Sequence, residues 1–122
     1  MHITDNDKAT KSSVQTWEAR IGQIKRQLQT LGPMRPGSVS RQFRVCGSPN
    51  CRCVAPNHPQ LHGPYYQVNY MFAGKKGAYY VQPDELKTVR AELANYKKFR
   101  RLTTQWVGLT VKIARTKQKR SP

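Results

Sequence analysis

The sequence predicts an α+β fold: two long helices, an antiparallel coiled-coil-like pair, flanking a small three-stranded antiparallel sheet with a cysteine-bearing loop. Three observations predict it. Val14, Trp17, Ile21, Ile24, Leu28 and Leu31 recur at steps of 3, 4, 3, 4 and 3, the a/d seam of a heptad repeat. Arg41 to Val45 and Tyr65 to Phe72 alternate instead, as in half-buried strands, and Ala78 to Gln82 follows a turn as a return strand. After Pro83 the helical stripe returns with Leu86, Val89, Leu93 and Tyr96.

Each element follows from local signals. Residues 1–11 are polar and expected to be disordered. Ser12 or Ser13 offers an N-cap to a helix over 12–32, which Gly32-Pro33 ends. A Pro/Gly loop leads to a short strand, Arg41 to Val45. The cysteine loop follows, stiffened by Pro56, Pro59 and Pro64. Tyr65 to Phe72 alternates as a second strand, Ala73 to Gly77 forms a turn, and Ala78 to Gln82 returns. The span 33–82 is thus the loop and sheet. A long helix over 83–116 opens on Pro83, with Asp84 and Glu85 complementing its dipole. Its stripe resumes at Phe99, Leu102, Trp106, Leu109 and Ile113 after a phase slip, with a break expected near Thr103-Thr104 or Gly108. Residues 117–122 form a basic tail. One domain holds all of this, with a homodimer or partner contact available to surplus apolar seam.

The chemistry concentrates in one place. All three cysteines, Cys46, Cys51 and Cys53, fall within eight residues, and His62 follows. The spacing is C-x4-C-x-C-x8-H. Thiolate and imidazole are the ligands Zn²⁺ prefers, and four of them close a tetrahedral structural site. A structural zinc loop is therefore expected, with His62 the preferred fourth ligand and His58 the alternative. Three reduced cysteines, a redox pair and an iron–sulfur cluster are the competing readings, while an odd third thiol disfavours a plain disulfide framework.

Charge sets the expected partner. The chain of 122 residues has 22 Lys+Arg against 6 Asp+Glu, a formal net charge of +16. No acid occurs between Glu18 and Asp84, nor after Glu92. A solvated face normally mixes both signs, so acid-free stretches point to a polyanion, and nucleic acid is the obvious one. Arg41, Arg44 and Arg52 beside the cysteine loop, and Lys75-Lys76 at the hairpin tip, are candidate contacts. So are Lys97, Lys98, Arg100, Arg101, Lys112 and Arg115 on the second helix. Hydrophobic residues make up only 37% of the chain, so the core is modest and a metal staple is useful. The five tyrosines 65, 66, 70, 79 and 80 fit a stacking platform for single strands, but packing within the sheet is the commoner use.

Other classes fare poorly. A closed four-ligand site leaves no open metal position. Past residue 18 the only carboxylates are Asp84, Glu85 and Glu92, at the start of one helix, which falls short of a two-metal nuclease set. No P-loop, dinucleotide fingerprint or nucleophile elbow is present, so no catalytic residue is expected. No long apolar run predicts a bilayer span, and the polar start lacks a secretion signal. A cytoplasmic, reducing compartment is expected, without a membrane partner.

The stretch Arg41-Gln42-Phe43-Arg44-Val45-Cys46-Gly47-Ser48-Pro49-Asn50-Cys51-Arg52-Cys53, then His62-Gly63-Pro64-Tyr65-Tyr66, resembles a family of small uncharacterised prokaryotic proteins often encoded near transposase or recombinase genes. The resemblance covers about residues 30–105, through Pro36-Gly37-Ser38 and Asn95-Tyr96-Lys97-Lys98-Phe99. It implies metal ligands at Cys46, Cys51, Cys53 and His62 and a mobile-element context. Two functions are expected to compete. The first is a zinc-stabilised nucleic-acid-binding protein, DNA favoured over RNA, accessory to a transposase or recombinase. The second is a helical adaptor bridging a recombinase or ribonucleoprotein assembly.

Overall fold

A computed structural model describes residues 3–120, with side chains from 11 to 118. The order is α1 (Ile3–Gln29), β1 (Ser38–Arg44), a 3₁₀ turn (Arg52–Val54), β2 (His62–Phe72), β3 (Lys75–Val81), a second 3₁₀ turn (Pro83–Glu85) and α2 (Leu86–Arg120). The three strands form one antiparallel sheet in the order β1-β2-β3. The chain divides into two compact units: a sheet unit, Pro33–Tyr96, and a helical unit of Met1–Gly32 with Lys97–Pro122.

In the sheet unit, alternation sorts the strands into two faces. Val39 stands opposite Val68, and Val68 opposite Tyr79, so these share a face. That face is covered by the first turns of α2: Val68, Val81, Val89 and Leu93 form the buried cluster, with Val39, Tyr66 and Tyr79 packed around it. Complete burial of a side chain such as Val68 stabilises by about 1.5–3 kcal/mol. Arg35 and Asn95 tie the preceding loop to α2. The Arg35 Nε donates to Glu92 Oε2 at 2.5 Å, its Nη1 reaches the Tyr79 hydroxyl at 3.2 Å, and the Asn95 amide donates to the Pro33 carbonyl at 2.9 Å.

The hairpin turn is tighter than expected. Ala73 and Gly74 alone make it, at φ 52° and 78°, the signature of a type I′ turn whose twist matches the strands. Lys75 and Lys76 therefore begin β3, opposite Phe72 and Met71, rather than standing in the turn. Opposite Tyr70 a glycine is required: the Tyr70 ring lies over Gly77, where a Cβ would collide with it.

The helices depart most from expectation. α1 begins at Ile3, upstream of Ser12 and Ser13, because no proline or glycine interrupts the first ten residues. The expected frayed end therefore overlaps a helix, and its first two residues lie outside those described. α2 runs unbroken through Thr103-Thr104 and Gly108. The antiparallel coiled-coil-like pairing is corrected: among the described residues the extensive contacts between elements are those of β1 with β2 and β2 with β3, and α1 and α2 meet at only a few points. Of the six heptad residues, five on α1 and Leu31 just beyond it, only Ile24 is fully buried and the others are half-buried. The physical reason lies in what occupies the seam. Val89 and Leu93, half of α2's first stripe, are committed to the sheet. Within the helical unit the facing groups are long or bulky: Lys25 over Trp106 at 5.2 Å, Lys112 over Trp17 at 5.9 Å, and Arg20 donating to Gln105 at 3.1 Å. Knobs-into-holes packing requires smaller apolar side chains in closer register.

Candidate metal centre

Four chain segments deliver four ligand atoms to one point. Cys46 lies just beyond the end of β1, and His62 begins β2. Arg44 and His62 are register partners, so pairing of the two strands brings Cys46 near His62. Between them the chain makes two turns. The Cys51 N–H donates to the Ser48 carbonyl at 3.3 Å, closing the turn over Pro49 and Asn50. Val54 and Ala55 then bond back to Cys51 and Arg52, which places Cys53 inside a 3₁₀ turn. The Gln60 N–H returns to the Arg52 carbonyl at 2.9 Å and pins the far side of the loop.

The result is a compact donor set. The ligand atoms of Cys46, Cys51, Cys53 and His62 all lie within 4.8 Å of one another. Cys46 Sγ and Cys53 Sγ are 3.6 Å apart, and Cys51 Sγ is 3.1 Å from His62 Nε2. The three cysteines are free thiols, and 3.6 Å is far beyond a disulfide bond of about 2.05 Å. The Cys46 N–H also donates to Cys53 Sγ at 3.2 Å. Cys53 is buried, Cys51 and His62 half-buried, and Cys46 exposed. His58, the alternative ligand, is exposed and outside the group.

The cluster also sets its own acidity. The Cys53 backbone N–H, then the Cys53 and Cys46 thiols and His62, lower Cys51 from 9.0 to about 6. Cys53 moves the other way. The Cys46 N–H favours its thiolate, but burial and the neighbouring Cys51 and Cys46 sulfurs outweigh it and push the thiol up. Three thiols and an imidazole held this closely form a site that could hold a metal ion.

One residue that position alone did not flag makes the geometry possible. Gly63 has φ +137°, a region that L side chains rarely adopt. A Cβ there would stand 2.7 Å from the Gln42 carbonyl and 3.0 Å from the Phe43 ring. The register between β1 and β2 shifts at this level, between Gln42 and Arg44. Gly63 thus lets β1 pass close while His62 still reaches the cysteines. The following Gly63–Pro64 peptide is cis.

The face of the sheet away from α2 carries a second arrangement. Gln42 Nε2 donates to Gln67 Oε1 at 2.7 Å and to Ser40 Oγ at 3.1 Å, and Arg44 donates to Gln42 Oε1 through Nε and Nη2. The Arg44 guanidinium lies 4.9 Å over the Tyr80 ring, and Tyr80 meets Tyr65 edge-on at 6.4 Å. Together with Val45, Cys46 and His62 these residues wall a recess of about 440 Å³ beside the ligand group. Period-two reading could have sorted Tyr65 from Tyr66, but it gave no sign of which face α2 covers.

The remaining candidates fall in both units. In the sheet unit Arg41, Arg52, Lys75 and Lys76 are exposed, with Arg41 5.1 Å over Phe43. In the helical unit Lys97, Arg100, Arg101, Lys112 and Arg115 are exposed and Lys98 is half-buried. Among the described residues no helix is long and apolar enough to cross a membrane.

No curated protein and no solved structure matches the chain. A family model does match, over residues 14–91, a span that takes in the ligand group, the whole sheet and the start of α2. With well over half of its residues so matched, the chain belongs to the family of the domain of unknown function DUF6788.

Proposed function

We propose that this chain is a small nucleic-acid-binding domain stapled by one zinc ion at Cys46, Cys51, Cys53 and His62. The donor chemistry fits zinc. With Zn–S of about 2.3 Å and Zn–N of about 2.0–2.1 Å, tetrahedral ligand atoms stand roughly 3.5–3.8 Å apart. The Cys46–Cys53 and Cys51–His62 separations, 3.6 Å and 3.1 Å, lie at and a little below that range, and all four atoms are within 4.8 Å of one another. Four protein ligands leave no open position, so the ion's role is to hold the loop between β1 and β2, not to perform hydrolysis.

The observation that carries the nucleic-acid reading is the uncompensated charge around this loop. The sheet unit exposes Arg41, Arg44, Arg52, Lys75 and Lys76, while its three acids all lie at the start of α2 or just before it, and Glu92 is already paired with Arg35. Cations without acidic partners repel one another until a polyanion neutralises them. Phosphate contacts from such residues give affinity, and arginine forks give readout when they reach a base edge. The mobile-element setting that the resemblance implies makes DNA, as part of a transposase or recombinase system, the polymer to test first.

The test is a filter-binding titration of the zinc-loaded chain against duplex DNA, single-stranded DNA and structured RNA across a salt series. Affinity should be highest at low salt and fall linearly on a log–log plot, because each neutralised phosphate releases counterions. Charge reversal at Lys97, Lys98, Arg100 and Arg101 should weaken all sequences alike and flatten the slope. Binding that is absent at low salt, with metal bound and the fold intact, overturns the reading and leaves the helical adaptor in its place.

A further inference from the structure

We infer that the open face of the sheet beside the metal centre is a stacking site for an unpaired nucleobase of a single-stranded nucleic acid. This rests on the nucleic-acid reading and specifies the form of polymer that it takes. The observations divide the tyrosines into two groups. Tyr66 and Tyr79 pack on the buried cluster, and Tyr70 covers Gly77. Tyr65 and Tyr80 lie on the other face, 43% and 50% exposed. Sequence alternation leaves their use open, and the structure assigns the two exposed rings no core role.

The recess that they line has the parts a base requires. Its size, about 440 Å³, is in the range of small-molecule sites. Its walls are the Tyr65 and Tyr80 rings and the Arg44 guanidinium plane, already stacked on Tyr80. Both aromatic rings and guanidinium planes stack on bases without demanding a sequence. Gln42, which accepts from Arg44 and donates to Gln67 on the same face, holds the guanidinium in place beside the recess. Arg44 supplies charge complementary to the phosphates on either side, and no acid lies in its stretch of chain. A paired base within a duplex presents no free face to these rings, so the site selects unpaired bases.

The metal fixes this site from behind. Cys46 and His62 belong both to the ligand group and to the recess wall. The site is thus held on two strands and one ligand loop, which limits the freedom lost when a base enters.

The experiment compares four probes: oligothymidylate, oligouridylate, a duplex of equal length, and an abasic oligomer with the same phosphates. The protein is the full zinc-loaded chain and its Tyr65→Leu and Tyr80→Leu variants. Wild type should bind the two base-bearing single strands more tightly than the abasic oligomer. Each leucine variant should lose about tenfold to a hundredfold on the base-bearing strands. It should lose nothing on the abasic oligomer or the duplex, with an unchanged salt slope. Tyr65→Phe and Tyr80→Phe keep the ring and should bind as wild type, which separates stacking from loss of a hydroxyl contact. Zinc content and thermal melting check that the variants are folded; if a leucine variant fails, Tyr65→Thr or Tyr80→Thr at the same position is read in its place with the same expectation. The two pyrimidine strands decide between DNA and RNA as the source of the base. Equal binding of abasic and base-bearing strands by wild type overturns the stacking site while leaving the nucleic-acid reading intact. So does equal loss on every probe. Absence of binding to all four probes overturns the parent reading as well.

Discussion

Val68 and Ile24 are both fully buried, yet they sit in different kinds of structure. Val68 belongs to a connected cluster with Val81, Val89 and Leu93, ringed by Val39, Tyr66 and Tyr79. Its strand is paired on both sides, and one end of it carries His62 of the Cys/His group. Ile24 lies in a unit whose other fully buried large side chain is Leu102, among the described residues. The same unit holds ammonium groups over half-buried indoles and hydrogen bonds from Arg20 to Gln23 and Gln105. The sheet unit is thus built on a connected apolar cluster, and the helical unit on two buried side chains edged by charged–aromatic contacts. Contacts of the second kind are individually weak, about 0.5–1 kcal/mol at exposed sites, and more tolerant of rearrangement. The two units should therefore respond to different perturbations.

The largest separation should come from removing the ion. Chelation of the zinc-loaded protein, or Cys53→Ser, should release metal and loosen the segment from Cys46 to His62 together with the adjoining ends of β1 and β2. The helical unit should keep its helix content. Structural zinc contributes on the order of 10 kcal/mol to small zinc domains, so the effect on the loop should be close to complete. Amide hydrogen exchange reads both units in one experiment: protection should collapse in the loop and sheet and persist in α1. Acid should reproduce the result. In the metal-free cluster Cys51 is lowered from 9.0 to about 6, so the stability tied to its thiolate is full above pH 9 and falls progressively as pH drops from 9 to 6; in the zinc-loaded chain protons compete with the ion for that thiolate. Uniform loss of protection across both units would show that they unfold as one, and the comparison would fail.

A smaller effect should distinguish the two interiors. Leu93→Ala removes a buried member of the sheet cluster and should cost about 2–5 kcal/mol. Lys112→Gln removes the ammonium over Trp17 and should cost only about 0.5–1 kcal/mol. Urea melts of the two variants check the ratio. Comparable losses would mean that the charged–aromatic contacts are better desolvated than their exposure indicates.

Legibility from sequence followed the same division. The ligand group was readable because thiols and an imidazole carry their chemistry in their identity, and Cys46, Cys51, Cys53 and His62 lie close in the chain. Three antiparallel strands were readable because Tyr66, Val68 and Tyr70 alternate with polar neighbours. The helix seam misled. Steps of 3 and 4 report that one face is apolar, but they do not report what that face meets, and tryptophan and lysine at the contact prevent close packing. Gly63 carried no signal as a bulge, since its need for positive φ arises only when β1 lies against it. The exposed and covered tyrosines alternate with identical chemistry, so only the position of α2 tells them apart.

The smallest effect tests the sheet unit at its far end. Ala73 occupies the first position of a type I′ turn at φ 52°, where an alanine side chain crowds its own backbone. Asparagine tolerates that region better, and Asn-Gly is the preferred pair for this turn. Ala73→Asn should therefore raise stability by about 0.4–1 kcal/mol. The turn lies at the opposite end of β2 from His62, so zinc content should stay the same. Lys75 and Lys76 remain exposed at the start of β3, so phosphate binding should be unchanged as well. A gain in melting midpoint with unaltered metal content and salt slope would show that hairpin and ligand loop contribute separately to the same sheet. A gain accompanied by tighter zinc would instead show that strand register is transmitted along β2 to His62, and the sheet unit would have to be treated as one cooperative element from turn to metal.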